Sequence, residues 1–315
     1  MLNVYMSNQA GQITELDDIT EGAWVSLVNP TMEELRHVAT TCDVDVEELA
    51  AALDVEEHSR VSPERGCVLI LVDAPTIEEE DDFGPSHITI PIGILISAKN
   101  VITVSLQKVP VLAELEAGRV RYLNTTQKTR FTLQILMRTA RSYIVALKDI
   151  EKMIDRQEAA LRKSTTNESL VQMLNLEKSL VYISTSLVSN QKVLESIART
   201  SAIKKYPDDD DLLQDTIVEN EQAVEMANIY SGILSGTMDA YASVIANNQN
   251  VIIKTLALIT IVLSIPTMIF SAYGMNLNLD GMPLSATVWG FALVVGISFL
   301  IALIVMMIFI RKKWF

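Results

Sequence analysis

Cysteine is almost missing from this 315-residue chain. Cys42 and Cys67 are too few for a disulfide framework and lack metal-ligand spacing, so a reducing compartment is expected. The opening "MLNVYMSNQAGQ" has neither the basic nor the apolar region of a secretion signal, which predicts a cytoplasmic N-terminal part. There is no glycine-rich phosphate loop, nucleophile elbow or His-rich zinc motif, and His37, His58 and His87 stand singly, as structural histidines do. An ATP-driven pump is disfavoured, no enzymatic activity is expected, and no organic cofactor is called for. Basic residues are also scarce, with 25 Lys and Arg against 39 Asp and Glu, a net charge of −14.

That acidity is unevenly spread. Residues 251–315 hold one acid, Asp280, and four bases, Lys254, Arg311, Lys312 and Lys313, so the first 250 residues carry −17. Such a balance argues against nucleic acid as a partner; it fits either cations or a plain solubilising surface.

Two long runs, Thr255 to Tyr273 and Val288 to Ile310, are uncharged and mostly apolar. Each can cross about 30 Å of hydrocarbon at about 1.5 Å per residue. Bases flank the outer ends of the pair and the loop between has none, which predicts a multi-pass protein of the cell membrane with both termini cytoplasmic and the loop outside.

Ahead of these runs, residues 1–123 read as a small α/β domain. Strands are predicted at 23–28, 67–72, 88–97 and 101–106. Thr31 with Glu34 forms a capping-box pattern that opens a helix, and a second helix is predicted from Asp45. The acidic run Glu78 to Asp82, beside Gly84 and Pro85, reads as a solvated loop tip. Residues 124–250 form a long-helix region with breaks near 163–169 and 204–211. From the second break to Tyr273 the only proline is Pro266, so one helix on the order of 100 Å is predicted to run on into the membrane domain, 251–315. A helix of that length requires packing partners.

One seam of this helix is mostly small or polar: Asp239, Ser243, Ala246, Asn250, Ile253, Ala257, Thr260, Ser264, Thr267 and Ser271, in alternating steps of four and three. Such a stripe either packs helices closely or lines water between several copies. If it lines water, its amides and hydroxyls suit an ion that keeps its hydration shell, as Mg²⁺ does. Ile253, with Leu256 beside it, could then close the path by dewetting.

The stretch "NQNVIIKTLALITIVLSIPTMIFSAYGMN", the second apolar run and the terminal "RKKWF" resemble the CorA family of magnesium and cobalt channels, whose signature is Gly-Met-Asn after the first of two C-terminal spans. The resemblance is specific from about Asp239 onward. It implies a funnel-shaped homopentameric α-helical membrane protein with an α/β cytoplasmic domain, whose first membrane helices line a pore for hydrated divalent cations. It implies an outer ring of Asn276 amides, presented by Gly274 and Met275, with Asn250 at the inner end of the pore. Thr260, Ser264 and Thr267 fall along the pore, Asp239 in the vestibule, and Ile253 and Leu256 at the gate. It implies closure by intracellular Mg²⁺ bound between subunits, with Asp215 as one ligand. Ala50, Ala51 and Ala52 stand where the family carries the partner acids, leaving Asp54, Glu56 and Glu57 just downstream as candidates. Ser264 stands where the best-known pattern is bulky and apolar. A membrane-anchored, non-conducting sensor or scaffold, or a Zn²⁺ transporter on the same scaffold, are the alternatives.

Overall fold

The computed structural model describes the chain except residues 9–10, 56, 65, 81–83, 121–122, 164–166, 201–202, 204–205, 276–281, 285–286 and 313–315. Two compact units emerge, Met1–Met238 and Asp239–Phe315.

The first unit is built on a seven-stranded sheet. Its strands are β1 (Leu2–Ser7), β2 (Ile13–Leu16), β3 (Trp24–Val28), β4 (Arg60–Glu64), β5 (Cys67–Glu80), β6 (Gly84–Ser97) and β7 (Val101–Ser105), in spatial order β2-β1-β3-β7-β6-β5-β4. Among the described residues only the β3–β7 pair is parallel. Side chains alternate across a strand, and in β5 both faces are apolar. Leu69 and Leu71 enter one core with Val25, Leu35, Val38 and Leu49, beneath α1 (Met32–Cys42) and α2 (Val46–Ala50). Ile70 and Val72 enter the other, with Trp24, Phe131, Ile135, Val193 and Leu213. That face is covered by α3 (Pro110–Glu116), α4 (Lys128–Lys163), α5 (Asn167–Arg199) and the first turns of α6 (Pro207–Tyr273). Helices on both faces make the sheet interior.

Local chemistry explains several boundaries. The Thr31 side chain accepts from the Glu34 amide and the Glu34 carboxylate accepts from the Thr31 amide, so the capping box forms. Hydrogen bonding to that amide holds the Glu34 carboxyl below its usual range. Trp24, fully buried, donates from Nε1 to Thr103 Oγ1 at 2.9 Å and lies 5.1 Å from the Tyr5 ring and 5.4 Å from that of Phe131. Pairing of β4 with β5 stops at Arg60 opposite Leu71. Beyond it the buried Asn190 of α5 takes the place of a strand: Oδ1 accepts from the Asp73 amide at 3.0 Å, and Nδ2 donates to the Asp73 carbonyl at 2.8 Å.

Some expectations are corrected. β5 and β6 run longer than their apolar cores, so Glu78–Glu80 are strand residues paired with Gly84–Ser86, not a loop tip. The ladder of a two-stranded ribbon tolerates charge and proline where its sides are free. The helix from Asp45 shortens to α2 and a 3₁₀ turn, Ala51–Leu53. α5 stops at Arg199 rather than near Ile203.

In the second unit α6 continues through Pro266 to Tyr273, and α7 spans Gly290–Arg311. With 67 residues, α6 measures about 100 Å at about 1.5 Å per residue. Both helices are long and apolar enough to cross a membrane, and only 6% and 11% of their most apolar windows are buried.

Candidate functional site

Burial along the membrane part of α6 separates two faces. Leu258 is 3% exposed, and Thr255, Val262, Ile265 and Ile269 are half-buried, again in steps of three and four. On α7 the buried positions are Gly290, Val294, Ser298 and Ala302, one turn apart. These mark the faces that the two spans turn toward each other. The polar seam lies elsewhere. All ten of its residues, from Asp239 to Ser271, are helical and exposed, so intrachain packing leaves the whole seam uncovered.

Its hydroxyls are oriented by their own helix. Ser243 donates to the Asp239 carbonyl at 3.0 Å, Thr260 to Leu256 at 2.9 Å, Ser264 to Ile261 at 2.8 Å and Thr267 to Leu263 at 3.0 Å. With the proton committed to the backbone, each oxygen presents acceptor lone pairs outward. Acceptors are what the water shell of a cation, all outward-pointing O–H donors, can use. Asn250 and Asp239 add further acceptor oxygens below. Ile253 and Leu256, each 64% exposed, are the large apolar side chains nearest Asn250 on or beside the seam.

At the top of the helix the Gly274 amide donates to the Phe270 carbonyl at 2.9 Å and to that of Ser271 at 3.2 Å, and Met275 is 57% exposed. A methyl group at 274 would meet only ordinary contacts at 3.4 Å or more. Asn276 lies outside the described residues. Glycine is demanded instead at a position the sequence reading passed over. At Gly290 an added Cβ would stand 2.2 Å from the Leu284 carbonyl oxygen. The clue was a lone glycine directly after Trp289 at the head of an apolar run.

The regulatory candidates are dispersed. Asp215, on α6, and Asp54, after the 3₁₀ turn, are exposed; Glu57 is half-buried and paired with Arg60, and Glu56 lies outside the described residues. Among the described residues no three His, Cys, Asp or Glu side chains converge on a metal position. Ala52 is fully buried, and a Cβ at Gly93 of β6 would come within 2.7 Å of its own Cβ. Ala52 therefore packs on the sheet, where a larger side chain would meet Gly93. Of the three histidines, His87 is 4% exposed, and burial lowers its pKa, which keeps the ring neutral.

Residues 20–312 match the family model described as CorA-like Mg2+ transporter protein. The chain belongs to the CorA family. Across the full length of both chains it is 28% identical to the cobalt/magnesium transport protein CorA of Methanocaldococcus jannaschii. It is 22% identical to the magnesium transport protein CorA of Campylobacter jejuni over 92% of this chain and 90% of the relative. The complete structure of the CorA magnesium transporter from M. jannaschii matches with a TM-score of 0.84 and 26% identity, over 100% of this chain and 99% of that one. The CorA match reaches well beyond the region around Gly274-Met275-Asn276 that carried the resemblance, into the α/β domain. It establishes the architecture as that of a membrane protein with a soluble α/β part, long helices and two C-terminal apolar helices.

Proposed function

We propose that copies of this CorA-family chain assemble, as a homopentamer, into a channel that admits Mg²⁺, and Co²⁺ as a close analogue, across the cell membrane. The observation that supports this most is the uncovered seam of α6. Ten exposed positions, all small or polar except Ile253, lead along one helix to Gly274 and Met275, and the second span does not occupy them. A chain with two spans cannot enclose water alone, so the seam acquires a lining role only around an axis shared by several copies.

In this reading a hydrated cation is held first by Asn276 amides at the outer mouth. It then passes hydroxyl oxygens at Thr267, Ser264 and Thr260, which accept hydrogen bonds from its waters without stripping them. Ile253 and Leu256 close the path by excluding water, and Asn250 and Asp239 receive the ion on the cytoplasmic side. No energy source beyond the membrane potential is needed: a divalent ion gains about 4.6 kcal/mol at 100 mV. Mg²⁺ bound between soluble parts of neighbouring copies, by Asp215 with Asp54, Glu56 or Glu57, holds the channel closed when internal Mg²⁺ is sufficient. Exposed acids on separate elements, Asp215 on α6 and Asp54 after the 3₁₀ turn, suit a site shared between two copies.

Proteoliposomes test this directly. Under an inside-negative potential and low internal Mg²⁺, the full chain should take up Mg²⁺, and Asn276→Ala should reduce the rate at least about tenfold. Loading the vesicles with Mg²⁺ should slow the wild type more than Asp215→Ala. Uptake no faster than in protein-free vesicles would leave the non-conducting scaffold as the better reading.

A further inference from the structure

Far along the chain from the seam, five segments of the first unit meet around one half-buried carboxyl, that of Asp73 on β5, just past the end of the β4–β5 ladder. Asn190 of α5 bonds both backbone groups of Asp73, at 3.0 and 2.8 Å. The same Asn190 Oδ1 accepts from the Ser59 hydroxyl at 3.4 Å, which draws in the stretch Glu57–Arg60 that leads into β4. Ser186, also on α5, donates to Thr89 of β6 at 2.9 Å. The Ser186 and Ser59 hydroxyls are within hydrogen-bonding reach of the Asp73 carboxyl itself. Tyr143 of α4 is fully buried beside them, and its hydroxyl makes no hydrogen bond of good geometry although Ser186 and Asn190 adjoin it.

Among the described residues no lysine or arginine is held against this carboxyl. Arg60 is committed to Glu57 and Ser62. His58 attracts it only from an exposed position, where salt and water screen the charge. From α4 the titratable group facing it is Tyr143, and α5 and β6 present an amide and hydroxyls, Asn190, Ser186 and Thr89. A carboxylate without a partner of opposite charge loses solvation when covered, so burial raises the Asp73 pKa. Hydroxyls accept as readily as they donate, so the same neighbours can bond the neutral carboxyl. We infer that Asp73 is a proton-responsive latch, whose neutral form holds the Glu57–Arg60 stretch to α5 more firmly than its carboxylate does. A pKa raised by folding contributes stability that is complete below the unfolded value and is lost as pH rises through the folded one. The latch therefore tightens in acid and slackens toward neutral pH.

Two measurements on the full chain in mild detergent read the latch, and neither depends on ion transport. The first compares denaturant unfolding of the soluble unit in wild type and Asp73→Asn, from about pH 8 down to about pH 4, the ordinary carboxylate range. Groups present in both proteins, His58 included, cancel in the ratio of the two unfolding constants. That ratio, wild type over variant, should be highest at the alkaline end and fall at least about twofold toward the acid end. The second is trypsin cleavage after Arg60 at about pH 8, which should be about two- to tenfold slower in Asp73→Asn, the range one net hydrogen bond confers. Should Asp73→Asn fail to fold, Asp73→Ser, smaller and equally neutral, takes its place in the ratio, where the slope with pH decides and not the height. A merely structural role for Asp73 would change the ratio by one factor at every pH. A ratio that is flat, or that rises toward acid, overturns the latch. So does cleavage after Arg60 in Asp73→Asn at the wild-type rate or faster.

Discussion

In the unit from Met1 to Met238 the largest apolar side chains are inside: Trp24, Phe131, Leu27, Ile70 and Ile92 are all fully buried. In the unit from Asp239 to Phe315, Ile253, Leu256, Leu263 and Met268 are 64% to 70% exposed. The first unit covers its own apolar surface with helices on both faces of one sheet. The second leaves most of its apolar surface open, and lipid or further copies of the chain must cover it. Exposure therefore carries opposite meanings in the two units. An exposed residue in the first is incidental unless charged and gathered with others, whereas in the second it marks a surface meant for lipid, for a neighbouring copy or for water.

Substitutions can break that contrast or sharpen it. The largest effect is expected at Trp24, where replacement by Ala removes the centre of an aromatic cluster and strands Thr103 Oγ1. Unfolding of the soluble unit in the full chain, followed by denaturant titration in mild detergent, should show a loss of about 3–5 kcal/mol. Leu263→Ala deletes a comparable apolar side chain yet should leave that transition unmoved. An equal shift from both would erase the distinction. A middle-sized effect is expected from Asn190→Ala, which leaves the Asp73 amide and carbonyl without their partner at the sheet edge. Stability should fall by about 1–3 kcal/mol, and amide exchange at Asp73 should speed up more than at Leu71, which β4 still pairs. The smallest is Thr31→Ala, which undoes the capping box at the start of α1 for about 1 kcal/mol and should not alter ion uptake.

Much of this architecture is legible in the residues, for identifiable reasons. The long helix follows from the absence of any proline between Pro207 and Pro266, and the capping box from Thr31 and Glu34 at their required spacing. Strands β3, β6 and β7 announce themselves through Val, Ile, Leu and Trp. β2 and β4 do not, because each lies at an edge, where Glu15, Pro63 and Glu64 are tolerated and the pattern weakens, and in β1 Asn3 and Ser7 interrupt the apolar residues. α3 hides because Pro110 opens it directly after a strand and a short turn. At the site, the seam is readable from its spacing alone, but which face the second span covers is not. That depends on Leu258 meeting a partner helix, a tertiary fact. Gly290 escapes for the same reason, since its need arises from Leu284, six residues away and folded back.

The contact between Ala52 and Gly93 also limits how this chain can change. With the Ala52 methyl seated over Gly93, a larger side chain at either position would need a compensating change at the other, and glycine has nothing left to give up. An acid cannot be gained at position 52 by any single substitution that keeps the fold. Exposed acids begin only further along the chain, at Asp54, where the 3₁₀ turn ends. The packing of two of the smallest residues thus decides which substitutions this face of the sheet can accept.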